Sequence, residues 1–429
     1  MQGEHHNPAT RNRTPLFALF AGNAVSLVGN VLALVATPWF VLQTTGSAAL
    51  TGVTGAVAAL PIIIAGILGG TIVDRLGFRR MSIIADLASG VTVALIPLLH
   101  YTVGLAFWQL LVLVFLGGLL DAPGTTARIS LLPDLADLAG MRRERTNAIE
   151  QAISRFSFLL GPPLAGILIA AIGTSHVLWL NAASFAVSAA LMAVLVPAPE
   201  PKPASTDTTN ERYIDGLRVA VRFLRENRLV MALLVQVSIT NFLDAAISVI
   251  YPIYAEREFG RALDLGFMFA AGAAGALTTT LLFAVFGHRL PRRETYIWAF
   301  VLTSFPVVVL AFYPGLYIVL GALLVRGLGA GPLNPILSTL EQDRIPAELR
   351  GRVFGLMMAC SWLTTPLGRV IGGYSVEGVG LSATLMAIAA AYLTTTLSLL
   401  IWPVMHEMNQ PLVGDAARQQ GFVAQGQST

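Results

Sequence analysis

About twelve apolar stretches run along this chain of 429 residues, each long enough to cross a bilayer, which takes roughly 20 residues of helix. No other feature restricts the fold so tightly. Inside hydrocarbon every backbone N–H and C=O must be satisfied within the chain, so only helices or a closed barrel can span. Uninterrupted runs of this length belong to helices. The sequence places them at 16–43, 49–72, 81–101, 105–127, 148–172 and 176–196, then at 229–254, 264–287, 295–313, 316–340, 352–375 and 380–403. Composition points the same way: 55% of residues are hydrophobic and 12% charged, about half the charged share of a soluble domain. The first span is too long for the core of a signal peptide and has no convincing cleavage site, so it is expected to stay.

The basic residues set the orientation. Of 27 Arg and Lys, 22 fall on one set of alternate loops and tails, among them Arg75, Arg79, Arg80 and Arg128; the opposite set holds only Arg257 and Arg261. Basic loops stay inside, so both termini are expected to be cytoplasmic, in a multi-pass protein of a bacterial plasma (inner) membrane. The expected organisation is a cytoplasmic tail, 1–15; a six-helix half, 16–196; a cytoplasmic linker, 197–228; a second six-helix half, 229–403; and a cytoplasmic tail, 404–429. The linker begins Pro/Thr-rich and flexible. Tyr213 to Arg225 then reads as an amphipathic helix, either lying on the inner membrane surface against anionic lipid or acting as a solvated connector. The tail after Met405 is polar and is expected to be disordered.

The two halves match at an offset close to 214 residues. Asn30 falls on Asp244, Pro38 on Pro252, Gly46 on Gly260, Gly52 on Gly266, Arg75 on Arg289 and Arg79 on Arg293. Further on the offset drifts to 209 and "DAPGTTARISLLPD" stands beside "AGPLNPILSTLEQD"; then Pro162 lies near Pro366. Together these matches indicate a duplicated six-helix unit, the construction of transporters whose halves rock about a central site. The fold class is therefore an all-α integral membrane protein of 12 transmembrane helices in two pseudo-symmetric halves.

Between spans two and three stands Gly70-x-x-x-Asp74-Arg75-x-Gly77-x-Arg79-Arg80. With twelve spans and duplicated halves, this turn resembles the major facilitator superfamily. "GPPLAG", holding Gly161, Pro162 and Gly166, resembles the antiporter signature on helix five, although its last position is a single glycine. "RIPAELRGRVFGL" resembles the loop between helices ten and eleven of the macrolide- and enterobactin-exporter branch. The resemblance covers 14–403. It implies that the charged turn gates the cytoplasmic side, with Asp74 against the positive N-terminus of helix eleven. Gly70 and Gly77 permit close approach there. Arg75, Arg79 and Arg80 can hold carboxylates, helix carbonyls or lipid phosphate. In the second copy, "GHRLPRR", His288 replaces the aspartate, so any latch is asymmetric.

Ionisable residues inside spans are costly and mark candidate sites. They are Asp121 in span four, Asp244 in span seven, Arg155 in span five, Arg326 in span ten and Arg369 in span eleven. Proton coupling needs a carboxylate poised between burial and an approaching arginine. Asp121 with Arg155 and Asp244 with Arg369 are conceivable pairs, and structural ion pairs joining two helices are the alternative. Asp244 is the more central. Many antiporters of the superfamily carry an arginine early on helix four; "VFLGGLLDAP" stands there instead, and the comparable "VRGLGAG", with Arg326, is on helix ten.

Spans one, four, seven and ten line the expected cavity, with Asn23, Asn30, Gln236, Asn241 and Asn334 as polar groups and Trp39, Phe242 and Tyr251 as apolar or stacking surface. Few polar groups in an apolar cavity suit amphipathic organic molecules. The expected function is a secondary active transporter exporting a hydrophobic or amphipathic small molecule, of drug, macrolide or siderophore type, in exchange for protons. An uptake permease or lipid transporter of the same fold is the alternative, and a non-transporting sensor or scaffold ranks below it. An enzyme is not expected, because the six histidines are scattered over termini and span ends. The single cysteine, Cys360, excludes a disulfide framework and a multi-cysteine metal site. No cofactor, metal or nucleic acid is expected; the partners are the small-molecule substrate, protons and membrane lipid, with the chain a monomer.

Overall fold

The computed structural model describes residues 12–197, 210–345 and 349–409. Thirteen α-helices make up these residues: α1 (Thr14–Thr45), α2 (Ala48–Leu76), α3 (Phe78–Thr102), α4 (Phe107–Ala139), α5 (Arg143–Ile172), α6 (Thr174–Leu195), α7 (Asn210–Glu226), α8 (Arg228–Glu258), α9 (Ala262–Phe286), α10 (Arg292–Leu310), α11 (Leu316–Arg344), α12 (Arg350–Val379) and α13 (Leu381–Ile401). Ten of them are long and apolar enough to cross a membrane. With α2 and α12, 29 and 30 residues long, they fill the twelve expected span positions. The thirteenth, α7, is the linker helix.

Two compact units result. One holds α1 to α6 together with Ser248–Ala270; the other holds α7, α8 up to Ile247, and everything described from Ala271 onward. Of the expected halves, 16–196 and 229–403, the second thus contributes one segment to the first unit. The C-terminal part of α8 and the start of α9 pack with the first six helices, for a steric reason. At Gly166 a Cβ would stand 2.7 Å from the Ala262 carbonyl oxygen, and at Gly266 one would stand 2.6 Å from that of Pro162. Two backbones meet there, as small residues allow between membrane helices.

The repeat is visible in the turns. α1 is closed by Gly46 at φ 65° and α8 is followed by Gly260 at φ 69°, the left-handed geometry glycine adopts without strain. Gly173 and Gly380, at φ 84° and 89°, join α5 to α6 and α12 to α13. These two turns stand at the same place, between the last two helices of each half.

Three expectations are corrected. The fourth span, read as 105–127, runs on to Ala139, because Leu131, Leu132, Leu135 and Ala139 keep a helical period and pack with Leu16, Leu19 and Met192. Arg128, counted above as a loop charge, is therefore inside a helix. Within α7, Ala220 and Leu224 are enclosed by Val230, Leu234, Val353 and Met357, so this part of its apolar face is covered by the chain, not by lipid or water. The tail after Met405 does not begin as disorder. Pro403–Asn409 forms a short 3-10 helix whose Met405 and Met408 are fully enclosed with Tyr296, Phe300 and Leu399. The side chains of 62, 65–75, 210–217 and 351 lie outside the description.

Candidate functional site

In the second unit, four helices meet at one guanidinium. Arg326 on α11 donates to the Asp244 carboxylate on α8, and to the Tyr392 hydroxyl on α13 at 3.1 Å. It also donates to the Thr303 carbonyl on α10 at 2.6 Å. Its central carbon stands 5.2 Å from the Tyr392 ring centre, within cation–π range. The Tyr392 hydroxyl donates in turn to Asp244. The arginine side chain is 12% exposed, whereas that of Asp244 is 52% exposed. A guanidinium held from three sides thus presents a carboxylate that remains open. Among the helices meeting here, α8, α10, α11 and α13, only α8 and α11 supply the charged partners.

In the first unit the corresponding helices, α1 and α4, also meet through a polar pair. Asn30 donates to Asp121 at 3.1 Å. Asp121 lies 3.7 Å from Arg128, two turns on along the same helix face. Arg128 is 3% exposed and donates at 2.6 Å to Asp86 on α3, which is fully buried. Asp86 also accepts from Ser188 on α6 at 2.7 Å. Nearby, Asn23 on α1 donates to Glu150 on α5 at 2.5 Å. Removing two charges from water is costly unless geometry and hydrogen bonding repay it; here both Asp86 oxygens are bonded, while Arg128 Nε is enclosed without a partner.

Both conceived pairings are therefore corrected. Asp121 meets Arg128, which its own helix supplies, not Arg155, which is exposed. Asp244 meets Arg326, not Arg369, which is half-buried on α12.

At the α2–α3 turn, Gly77 has φ 78°. Arg79 donates to the carbonyls of Met192, at 3.3 Å, and Ala193, at the end of α6. Its repeat partner Arg293 donates to the Leu400 carbonyl, at the end of α13, at 3.3 Å. A cation at a helix C-terminus meets the negative end of the helix dipole, and the duplicated arginine performs this role in both units. Arg80 is exposed. The side chains of Asp74 and Arg75, and the surroundings of Gly70, lie outside the described residues.

The cavity candidates divide. Asn334 is exposed on α11, and Phe242 is half-buried. Asn241 ties α8 to α12 by donating to the Ser361 carbonyl at 3.2 Å. Tyr251 packs edge-on against Phe269, ring centres 5.8 Å apart. Trp39 and Gln236, 3% and 1% exposed, are enclosed by packing and offer no surface to a solute. On α5, a Cβ at Gly161 would meet the Val31 side chain at 2.5 Å, so the glycine seats α5 against α1.

Sequence reasoning missed three residues. Asp86 carried a signal, since "MSIIADLASG" sets a carboxylate in an apolar span. Arg128 was hidden by a span end placed one residue too early. Tyr392 gave none: an aromatic residue in an apolar helix reads as packing.

Ten helices long and apolar enough to cross a membrane, with charged groups inside them, define a polytopic membrane protein. The sequence profile of the Major Facilitator Superfamily matches residues 19–361 and 233–422, and the chain belongs to that superfamily. Over 414 residues it is 32% identical to the multidrug efflux pump Tap of Mycobacterium tuberculosis (strain ATCC 25618 / H37Rv), covering 96% of this chain and 98% of the relative. It is 21% identical to macrolide efflux protein A of Streptococcus pyogenes, over 85% of this chain and 90% of that one. Among solved structures, the nucleoside transporter NupG superposes with a TM-score of 0.74 at 12% identity, over 90% of this chain and 98% of that chain. The chain is thus a multi-pass transporter of this fold and not an enzyme.

Proposed function

We propose that this transporter exports amphipathic or hydrophobic small molecules, of the drug or macrolide kind, by alternating access and in exchange for protons. The observation that carries the reading is Asp244: a carboxylate in the middle of a membrane-length helix, half open, and held by Arg326 and Tyr392. A group so placed exchanges protons with water, and its charge state decides whether Arg326 is neutralised. Protonation loosens the α8–α11 contact and deprotonation restores it, which gives the cycle a two-state element. The relatives named for multidrug and macrolide efflux support the substrate class and the direction. The basic loops support cytoplasmic termini in a bacterial inner membrane, with the monomer as the working unit. The α2–α3 turn, with Asp74, Gly77 and Arg79, then lies inside and latches that side. Inverted vesicles carrying the chain, given an inward-acid proton gradient, test this with a labelled macrolide and a fluorescent amphipathic cation. Gradient-dependent accumulation of either supports export. Accumulation of neither, or only in right-side-out vesicles, overturns it.

A further inference from the structure

Asp86 and Arg128 have no part in that scheme, yet they form the most enclosed ionic contact among the described residues, at 0% and 3% exposure. Around them the charges do not balance. Arg128 is one cation facing Asp86 at 2.6 Å and Asp121 at 3.7 Å. The second distance is in ion-pair range but too long for a hydrogen bond. Asp121 Oδ1 and Arg128 Nε are both enclosed without a hydrogen-bond partner. Asp86, by contrast, has each oxygen occupied, by Arg128 and by Ser188. The guanidinium is therefore committed to one carboxylate while a second, two turns away on its own helix, has an oxygen unsatisfied.

We propose that Asp121 and Asp86 form a second proton-handling site in which two carboxylates compete for the single guanidinium of Arg128. When Asp121 carries a proton, Arg128 stays with Asp86. When Asp121 gives it up, the second amino group of Arg128, now bonded to Thr125 at 3.2 Å, turns to Asp121. Asp86 is thus a positioning residue, acting on Asp121 through Arg128. The groups around Asp121 are few. α1 presents Asn30, α3 presents Asp86, and α5 presents Glu150, held by Asn23. Where α2 meets α4 at Gly118, its described groups are Pro61 and the Ala58 carbonyl, neither of them charged. On α4 itself stand Arg128 and Thr125. The site rests on the proton-coupled reading only for its purpose, because its titration is measurable without flux.

Infrared difference spectra of the full chain in lipid, titrated over pH, supply the test. The expected result is a carboxyl band that disappears in Asp121→Asn. In Asp86→Asn the band should remain, with its midpoint displaced to lower pH by about 1 unit or more, since an opposite charge within a few Å shifts a carboxylate by that amount. Ser188→Ala should displace it the other way: Asp86 loses a donor and grips Arg128 harder. A band that survives Asp121→Asn, or a midpoint that neither Asp86→Asn nor Ser188→Ala moves, overturns the competition. If Asp86→Asn does not fold, the direction in Ser188→Ala decides. Loss of transport with the titration intact would count against export and leave the site standing.

Discussion

The two units place a polar contact between the same pair of repeated helices and finish it in opposite ways. In the first, Asn30 meets Asp121, whose arginine is buried and bound to a second carboxylate. In the second, the repeat position of Asn30 is Asp244, which takes the arginine itself and remains 52% exposed. In the enclosed set Arg128 can leave one carboxylate only for the other, because leaving both would strand an uncompensated charge. An open pair can be broken by a proton. The duplicated framework carries an asparagine at one copy of this position and a carboxylate at the other, and the arginine that answers it differs accordingly.

Breaking the open site should have the largest effect. Asp244→Asn should abolish proton-driven flux in inverted vesicles while the purified protein still elutes as a single folded species; undiminished flux would remove Asp244 from the mechanism. Next comes the buried site. Arg128→Gln should cost stability on the order of 3–5 kcal/mol, the range for stranding one partner of a buried pair. Arg326→Gln should leave the melting temperature much closer to that of the unaltered chain, since Asp244 reaches water. Equal losses in thermal melts would erase the contrast. Tyr392→Phe should retain Arg326 over the ring but lose the donor to Asp244, slowing flux by about tenfold, because a hydrogen bond to a charged group contributes about 1.5–3 kcal/mol. A rate within twofold would mark the phenol as packing alone. Smallest is Ser188→Ala, where loss of one of the two donors to Asp86 should lower stability by about 1.5 kcal/mol, the low end for a bond to a charged group, read by the same melts.

Much of this contrast is legible in the sequence. Asp121, Asp244 and Arg326 stood out because a charge in an apolar run needs a reason, and the 214-residue offset paired Asn30 with Asp244 and Arg79 with Arg293. What remained hidden was which arginine answers which carboxylate. Arg155 and Arg369 were equally plausible partners, because distance along the chain does not predict distance across a bundle. Trp39 and Gln236 could not be separated from lining residues for the same reason: a helix has one sequence and several faces, and its neighbours decide which is covered.

The sequence by itself determined that this chain has about twelve membrane-length apolar runs, that its halves are copies, and that its basic residues gather on one set of alternate loops. Those properties follow from the length of apolar runs, from loop charge and from periodicity, all of them local or additive along the chain. Only the tertiary structure decided that Ser248–Ala270 packs with the first six helices, that Met405 and Met408 are enclosed, and that Arg128 belongs to Asp86 while Arg326 belongs to Asp244. Those are matters of which helix faces meet, and between residues 82 positions apart, as Asp244 and Arg326 are, only packing brings the charges together.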